Sequence, residues 1–351
     1  MAITNSKRLF DICVRLQIFI EGVKNSESLK FNRVSLQVKE EFSTLLKRVR
    51  YDTLDGLTKA ELNALVASLR ASQLKIYSIY TRKLLKQLEE FMQANLVVNK
   101  RVHSYFYFDY PENENLPSEE DSNSLIEQEQ KKKDFFAVFG LAALIGSPKK
   151  LWSRILNDPI AANGAMPKAL LTSFSASAQM SVESLIRKGY SNGWTVRETL
   201  AELDSQLAKV ANQADAVVST IMQHVSAHAA QAVQSALYKQ YVWISIIDSG
   251  TTDICRSRNK KVYIFGKGPV PPAHIRCRSI IMPWTGESAD ATFYTWVKSQ
   301  NAEMQNFALG KKSATALRNG ELTAKDGLKL DASPITIDEF IKSANKIAKG
   351  L

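Results

Sequence analysis

The fold is decided by TKAELNALVASLRASQLKIYSIYTRKLLKQLEEFMQANL, residues 58–96. Thr58 and Glu61 form the capping-box pattern that satisfies free N–H groups at the start of a helix. Apolar side chains then recur at helical spacing, and no Pro or Gly interrupts them as far as Leu96. These apolar positions are Leu62, Leu65, Leu69, Ile76, Tyr80, Leu84, Leu88 and Met92. The pattern predicts one helix of about ten turns.

The same periodicity extends toward the N-terminus. Apolar residues follow helical spacing from Leu9 to Val23, and a second apolar run covers Val38 to Val49. We therefore predict an N-terminal long-helix domain over residues 1–110. Apolar stripes on long helices need a partner, so this domain is expected to self-associate or to dock on another protein.

The composition changes after the aromatic cluster Tyr105–Tyr110, which alternates like a half-buried strand and is expected to pack. Residues 111–134 hold two prolines, eight acids and three consecutive lysines. Such a stretch buries too little apolar surface to offset its ordering entropy. It predicts an acidic linker or exposed loop, and the best domain boundary in the chain.

A helical middle block is predicted over residues 135–240. It opens with the apolar run Phe135–Gly146, which is either a buried helix or a membrane-active or partner-docking segment. Thr195 and Glu198 form a second capping box. His224 and His228 have a spacing that can chelate a metal, but the Glu of HExxH is missing, so a solvated or packed helix face is expected.

Residues 241–351 combine strand-type and helical sequence patterns. Three short β-type runs lie at residues 242–247, 261–265 and 279–282, and helical patterns follow at 291–309, 313–318 and 337–349. This predicts a small C-terminal α+β module. The expected fold class is mainly α, with elongated helical N-terminal and middle regions.

The composition of the 351 residues excludes several classes of protein. A hydrophobic fraction of 45% excludes disorder throughout, and three cysteines are too few for a secreted disulfide scaffold. The N-terminus lacks a signal-peptide layout, and no apolar run is long enough to cross a bilayer. We therefore expect synthesis in a reducing cytoplasm.

The formal net charge is +11, and six of these charges fall between Asp253 and Arg278. Clustered basic residues point to an anionic partner, which is either nucleic acid or the acidic face of another protein. The predicted contact residues are Arg256, Arg258, Lys260, Lys261, Lys267, Arg276 and Arg278.

Cys255, His274 and Cys277 are the candidate metal ligands, since thiolate and imidazole suit Zn²⁺. A structural zinc site normally has four protein ligands, and Asp248 or Asp253 would have to supply the fourth. Two alternatives stay open. Both cysteines could be small buried hydrophobes on adjacent strands with His274 bonded to a carbonyl, or Cys255 and His274 could form a nucleophile pair.

Phosphate-binding, dinucleotide-binding, serine-hydrolase and deaminase motifs are absent from the sequence. The chain is therefore expected to be a binding or structural protein and not an enzyme.

One extended pattern carries a family resemblance. Its core is Trp243, Asp248-Ser-x-Thr-Thr252-Asp-x-Cys255-Arg256 and Pro271-Pro272-x-His274-x-x-Cys277-Arg278-Ser279. It resembles the Mu protein F-like minor head proteins, or head morphogenesis proteins, of tailed bacteriophages. Downstream, Phe293–Gln300, Leu309–Gly320 and Ile335–Phe340 resemble the tail of the same family. The resemblance covers residues 175–350. The helix before the Trp strand departs from it, with Val225–Gln231 where many members have an Ala-Arg-Thr-Glu-like run.

The resemblance implies a low-copy internal capsid protein at the portal vertex that takes part in head assembly, DNA packaging or genome ejection. The implied partners are the portal protein, the major capsid protein and packaged double-stranded DNA, bound without sequence preference. The resemblance does not imply a catalytic activity. The alternative is an effector ejected with the genome, active on host membrane or nucleic acid, which the charge and Phe135–Gly146 motivate.

Overall fold

The computed structural model describes residues 5–104, 106, 147–287, 291–323 and 328–349. Within these ranges the chain forms nine α-helices, one 3₁₀ turn at Leu54–Gly56 and three β-strands. The helices are α1 Asn5–Leu46, α2 Lys59–Ser104, α3 Pro148–Asn157, α4 Pro167–Ser191, α5 Val196–Leu237, α6 Asp253–Arg258, α7 Phe293–Ser299, α8 Ala302–Arg318 and α9 Ile337–Lys349. The strands are β1 Gln240–Ile244, β2 Val262–Ile264 and β3 Ile280–Pro283. The predicted fold class, mainly α with a small α+β part, is confirmed.

Two long helices dominate the N-terminal half. At 42 and 46 residues, α1 and α2 are about 63 and 69 Å long. The capping box predicted for α2 is present, with Thr58 N–H donating to Glu61 at 2.8 Å and Glu61 N–H donating to Thr58 Oγ1 at 3.2 Å. The two apolar runs before it lie in one continuous helix as far as Leu46, since Glu27, Phe31 and Ser35 continue the buried stripe between them.

The central helix of the fold is α5. It packs against α1, α2 and α4, and every residue from Val218 to Ala227 is buried. Its predicted capping box is present, with Thr195 and Glu198 exchanging backbone-to-side-chain bonds of 2.8 and 3.1 Å. A helix covered by neighbours on most sides explains the small Ala and Ser side chains of this segment.

The sheet has the order β2-β1-β3, and both pairings are antiparallel. Trp243 of β1 lies opposite Ile281 of β3, and Tyr241 lies opposite Tyr263 of β2. The three predicted strands are therefore present. β1 is buried from Tyr241 to Ile244, because Val242 and Ile244 pack in the large hydrophobic core and Trp243 packs against Cys255 and Cys277.

The predicted helix 291–309 is wrong as one element. The chain breaks between Ser299 and Ala302 because Asn301 caps a new helix, its side chain accepting the Met304 N–H at 2.9 Å. The predicted helix 313–318 is the second part of α8, which kinks at Gly310 where φ is 72°. The last predicted helix, 337–349, agrees with α9.

One hydrophobic cluster joins the segments that were predicted as separate domains. It contains Leu9 of α1, Phe91 of α2, Val225 of α5, Trp296 of α7 and Phe340 of α9. Helix α1 also approaches the C-terminal tail closely, because a Cβ at Gly22 would lie 2.6 Å from the Ser333 carbonyl oxygen. The N-terminal helices therefore contact the C-terminal module directly.

Three sequence predictions lie outside the described residues. They are the linker 111–134, the apolar run Phe135–Gly146, and the aromatic cluster Tyr105–Tyr110 apart from Phe106, which packs against the core. Among the helices that the structure describes, none combines the length and the apolar character needed to span a bilayer.

Candidate functional site

Asp248 organises the loop that follows β1. Its carboxylate binds both terminal nitrogens of Arg278, one of them at 2.6 Å, in a two-pronged ion pair. It also accepts N–H groups from Gly250 at 2.9 Å and from Leu330 at 3.0 Å. Burial alone would raise the pKa of Asp248, but Arg278 and these hydrogen bonds hold that pKa below its usual value. The Asp248 side chain thus ties β1, β3 and the C-terminal tail together.

Two more of the predicted basic contact residues bind the chain itself. Arg256 donates to the carbonyl oxygens of Asp248 at 2.8 Å and Thr251 at 3.1 Å. Arg276 forms a 2.7 Å ion pair with Asp215 of α5 and also donates to the Asn212 carbonyl oxygen. Together with Arg278, these guanidinium groups hold the loops in place.

The other four predicted contact residues surround β2. The guanidinium of Arg258 lies over the Trp243 ring, 5.1 Å from its centroid. Lys260, Lys261 and Lys267 are exposed. Three exposed lysines therefore lie directly before and shortly after the strand Val262–Ile264.

Cys255, His274 and Cys277 meet in the loops beside β1. Their ligand atoms all lie within 4.8 Å of one another. The two sulfurs are 3.7 Å apart, and His274 Nε2 is 3.1 Å from Cys255 Sγ. Cys255 lies on α6 and Cys277 lies in the loop before β3, so the two cysteines are not on adjacent strands. Both cysteines are buried, whereas His274 is partly exposed.

The three groups alter one another's protonation. Burial opposes ionisation of Cys277, but hydrogen bonds with Cys255 and His274 lower its pKa below the ordinary value. The same contact with Cys277, together with burial, raises the pKa of Cys255. The interaction with Cys277 also raises the pKa of His274. The arrangement therefore favours ionisation of Cys277 over ionisation of Cys255.

The remaining motif residues pack around this cluster. Trp243 is buried against both cysteines and donates from Nε1 to Ser245 Oγ at 3.0 Å. Ser245 in turn donates to the Cys255 carbonyl oxygen at 2.8 Å. Pro272 is buried beside His274, and the Pro271–Pro272 peptide bond is cis.

A buried lysine of α1 also belongs to the site. Lys24 Nζ donates to Glu21 and to Gln223 of α5, each at 2.6 Å, and lies 3.4 Å from the Cys277 carbonyl oxygen. Gln223 in turn donates to the Ser279 carbonyl oxygen at 2.8 Å. Sequence reasoning missed Lys24, because a lysine in a helix normally faces solvent. Its only signal in the sequence was that it directly follows the apolar stretch Leu16–Val23.

A polar cavity of about 380 Å³ lies beside His274. Arg276, Arg278 and Lys329 contribute positive charge to its wall, and Glu21, Asp215 and Asp331 contribute negative charge. The cavity therefore has no strong net charge, and it brings solvent to the imidazole side of the cysteine cluster.

The pair His224 and His228 packs within the helical block, which is one of the two arrangements expected from the sequence. The rings lie 4.2 Å apart, and His224 Nε2 lies 3.2 Å from the Ile155 carbonyl oxygen. Burial lowers the pKa of His224, and burial together with the neighbouring His224 lowers the pKa of His228 to about 3. Both imidazoles are therefore neutral near pH 7, and within the described residues the three-ligand cluster at Cys255 is the candidate metal centre.

Comparison of the chain with family models, with curated proteins and with solved structures finds no match.

Proposed function

We propose that this chain is a minor head protein of a tailed phage, held inside the capsid near the portal vertex and acting in head assembly, DNA packaging or genome ejection. The proposal rests on the ordered motif Trp243, Asp248, Cys255, Pro272, His274 and Cys277. One observation supports it most. These residues, which lie up to 34 positions apart in the sequence, build a single loop cluster held by the Asp248–Arg278 ion pair.

The N-terminal helices supply the surface for the portal protein or for a second copy of the chain. Leu29 and Leu36 of α1 are 51% and 58% exposed, and Leu74 of α2 is 57% exposed. Large exposed apolar side chains on a long helical hairpin favour docking on another protein. The major capsid protein is the second proposed partner.

Incorporation into heads tests this function. The chain is produced together with the portal protein and the major capsid protein of the same phage, and assembled heads are separated on a gradient. We expect the chain to sediment with the heads only when the portal protein is present. A chain that stays in the soluble fraction under both conditions would contradict the proposal.

Packaged DNA is the proposed anionic partner, and the exposed lysines near β2 are the proposed contact. We expect the double variant Lys261→Ala/Lys267→Ala to bind double-stranded DNA more weakly. The slope of log affinity against log salt should fall by about 0.9 for each phosphate contact that is lost. Fluorescence anisotropy of a labelled duplex across a salt series measures this slope.

The matched control is Lys59→Ala/Lys75→Ala, which removes the same charge from exposed positions on α2. We expect this control to keep the salt slope, because α2 lies outside the proposed contact. Equal slopes for the wild type and both variants would show that the lysines near β2 do not contact phosphates.

A further inference from the structure

The cysteine–histidine cluster is the part of the molecule that the proposed function leaves unused. We propose that Cys255, His274 and Cys277 bind one Zn²⁺ ion. The ion would link the loops around Trp243, where few buried apolar side chains pack together. The ion would join α6 to the turn 274–277, two segments separated by some twenty residues of chain.

The distances fit a tetrahedral zinc ion. With Zn–S bonds near 2.3 Å, two thiolate sulfurs on one tetrahedron lie about 3.8 Å apart. The Sγ atoms of Cys255 and Cys277 are 3.7 Å apart, and the imidazole Nε2 lies within 4.8 Å of both. Two thiolates with one imidazole are also the ligand types that Zn²⁺ prefers.

Hydrogen bonds around the cluster hold the ligands in the orientation that a metal needs. His274 Nδ1 lies 2.8 Å from the Ile275 carbonyl oxygen, so Nδ1 carries the proton and Nε2 presents a lone pair to the sulfurs. Ser279 Oγ donates to Cys255 Sγ at 3.2 Å. Second-layer bonds of this kind are typical of built metal sites.

The protein supplies three ligands, and the fourth position is left to water. Asp248, the acid that could have completed the set, is committed to Arg278, Gly250 and Leu330. Asp253 does not belong to the cluster of ligand atoms. The polar cavity reaches His274 but is lined by neither cysteine, so solvent comes to the metal from the imidazole side.

A catalytic thiol explains the same cluster less well. A nucleophile needs access to its substrate, and Cys255 and Cys277 are 1% and 0% exposed. Burial of both sulfurs suits a metal ion that is bound within the fold and contributes its binding energy to folding.

Cobalt spectroscopy of the whole reduced chain tests the proposal, because Co²⁺ replaces Zn²⁺ and reports its ligands. We expect one equivalent of Co²⁺ to give a thiolate-to-metal charge-transfer band and the intense visible bands of tetrahedral cobalt. One equivalent of Zn²⁺ should then abolish both. A chelator should also lower the Tm of the zinc-loaded chain.

Variants assign the ligands. Cys277→Ser and His274→Gln should each weaken Zn²⁺ binding by more than roughly 100-fold, beyond what changes in the second layer cause. Cys13→Ala is the matched control, since Cys13 is the third buried cysteine and lies on α1 outside the cluster. It should keep the wild-type cobalt spectrum.

The wild-type spectrum decides the matter even if a variant fails to fold. A cobalt complex without the charge-transfer band would overturn the proposal. So would a charge-transfer band of undiminished intensity in folded Cys277→Ser, or a reduced chain that binds no stoichiometric metal.

Discussion

Replacement of Asp248 by asparagine is expected to destabilise the chain by about 3–5 kcal/mol, the usual cost of removing one partner of a buried ion pair. The Arg278 side chain is 15% exposed, so its guanidinium would lose its counter-charge without regaining full hydration. The shift of the urea midpoint at constant slope measures the loss.

Two further variants separate the ion pair from a general effect of charge. Asp253→Asn removes an exposed carboxylate from the start of α6, directly after the same loop, and we expect it to change the free energy of unfolding by less than about 0.5 kcal/mol. Asp248→Asn/Arg278→Met removes both charges and should recover part of the loss. If Asp248→Asn unfolds at the wild-type urea midpoint, the Asp248–Arg278 ion pair does not stabilise the fold.

Acidification from pH 7 to pH 5 is expected to destabilise the chain through its buried histidines. Burial lowers the pKa of His103 to about 3 from an ordinary value near 6.5. The unfolded chain therefore takes up a proton between pH 7 and pH 5, and the folded chain does not. This histidine's contribution is complete above pH 6.5 and falls as the pH drops, by about 2 kcal/mol at pH 5.

His228 adds a second loss in the same range, since its pKa is also lowered to about 3 by burial, by His224 and by Arg154. Asp158 lies 3.4 Å from His228 and reduces this loss. In the metal-free chain, His274 acts in the opposite direction because its pKa is raised. Glu61 and Glu198, whose pKa values are lowered by the N–H groups of their capping threonines, stay ionised in this range.

The variant His103→Gln isolates one of these contributions. Gln234 Nε2 lies 3.1 Å from His103 Nε2, and a glutamine oxygen can accept the same hydrogen bond without titrating. Urea unfolding at pH 7 and pH 5 should show a smaller pH-dependent loss for the variant, by about 2 kcal/mol. An unchanged pH dependence would mean that His103 is already protonated or accessible in the folded chain.

Local signals in the sequence predicted the helices well. The capping boxes at Thr58 and Thr195 placed the starts of α2 and α5, because both partners of each box lie within one turn. The strands near Trp243, Val262 and Ile281 followed from short β-branched runs between turn residues. The break at Asn301 was missed, because an asparagine cap without a Pro or Gly resembles a polar helix position.

Long-range partners could not be predicted from spacing. The pairing of Asp248 with Arg278 depends on how β1 and β3 align. Arg276, in the loop before β3, forms its ion pair with Asp215 of α5. For the same reason three predicted anion-contact residues proved to be engaged within the chain. Lys24 was missed because its burial follows from the packing of α1 on α5 and not from its neighbours in sequence. The His274–Cys277 spacing, in contrast, is local, and both side chains lie in one cluster with Cys255.

The central proposal, a minor head protein at the portal vertex, is tested most directly by quantitative mass spectrometry of purified virions. The chain is measured before and after triggered genome release and normalised to the major capsid protein. We expect a few copies per particle that remain in the emptied heads. Loss of the chain together with the DNA would contradict a fixed portal-vertex role and favour an ejected effector. Absence from both samples would contradict the assignment to the virion.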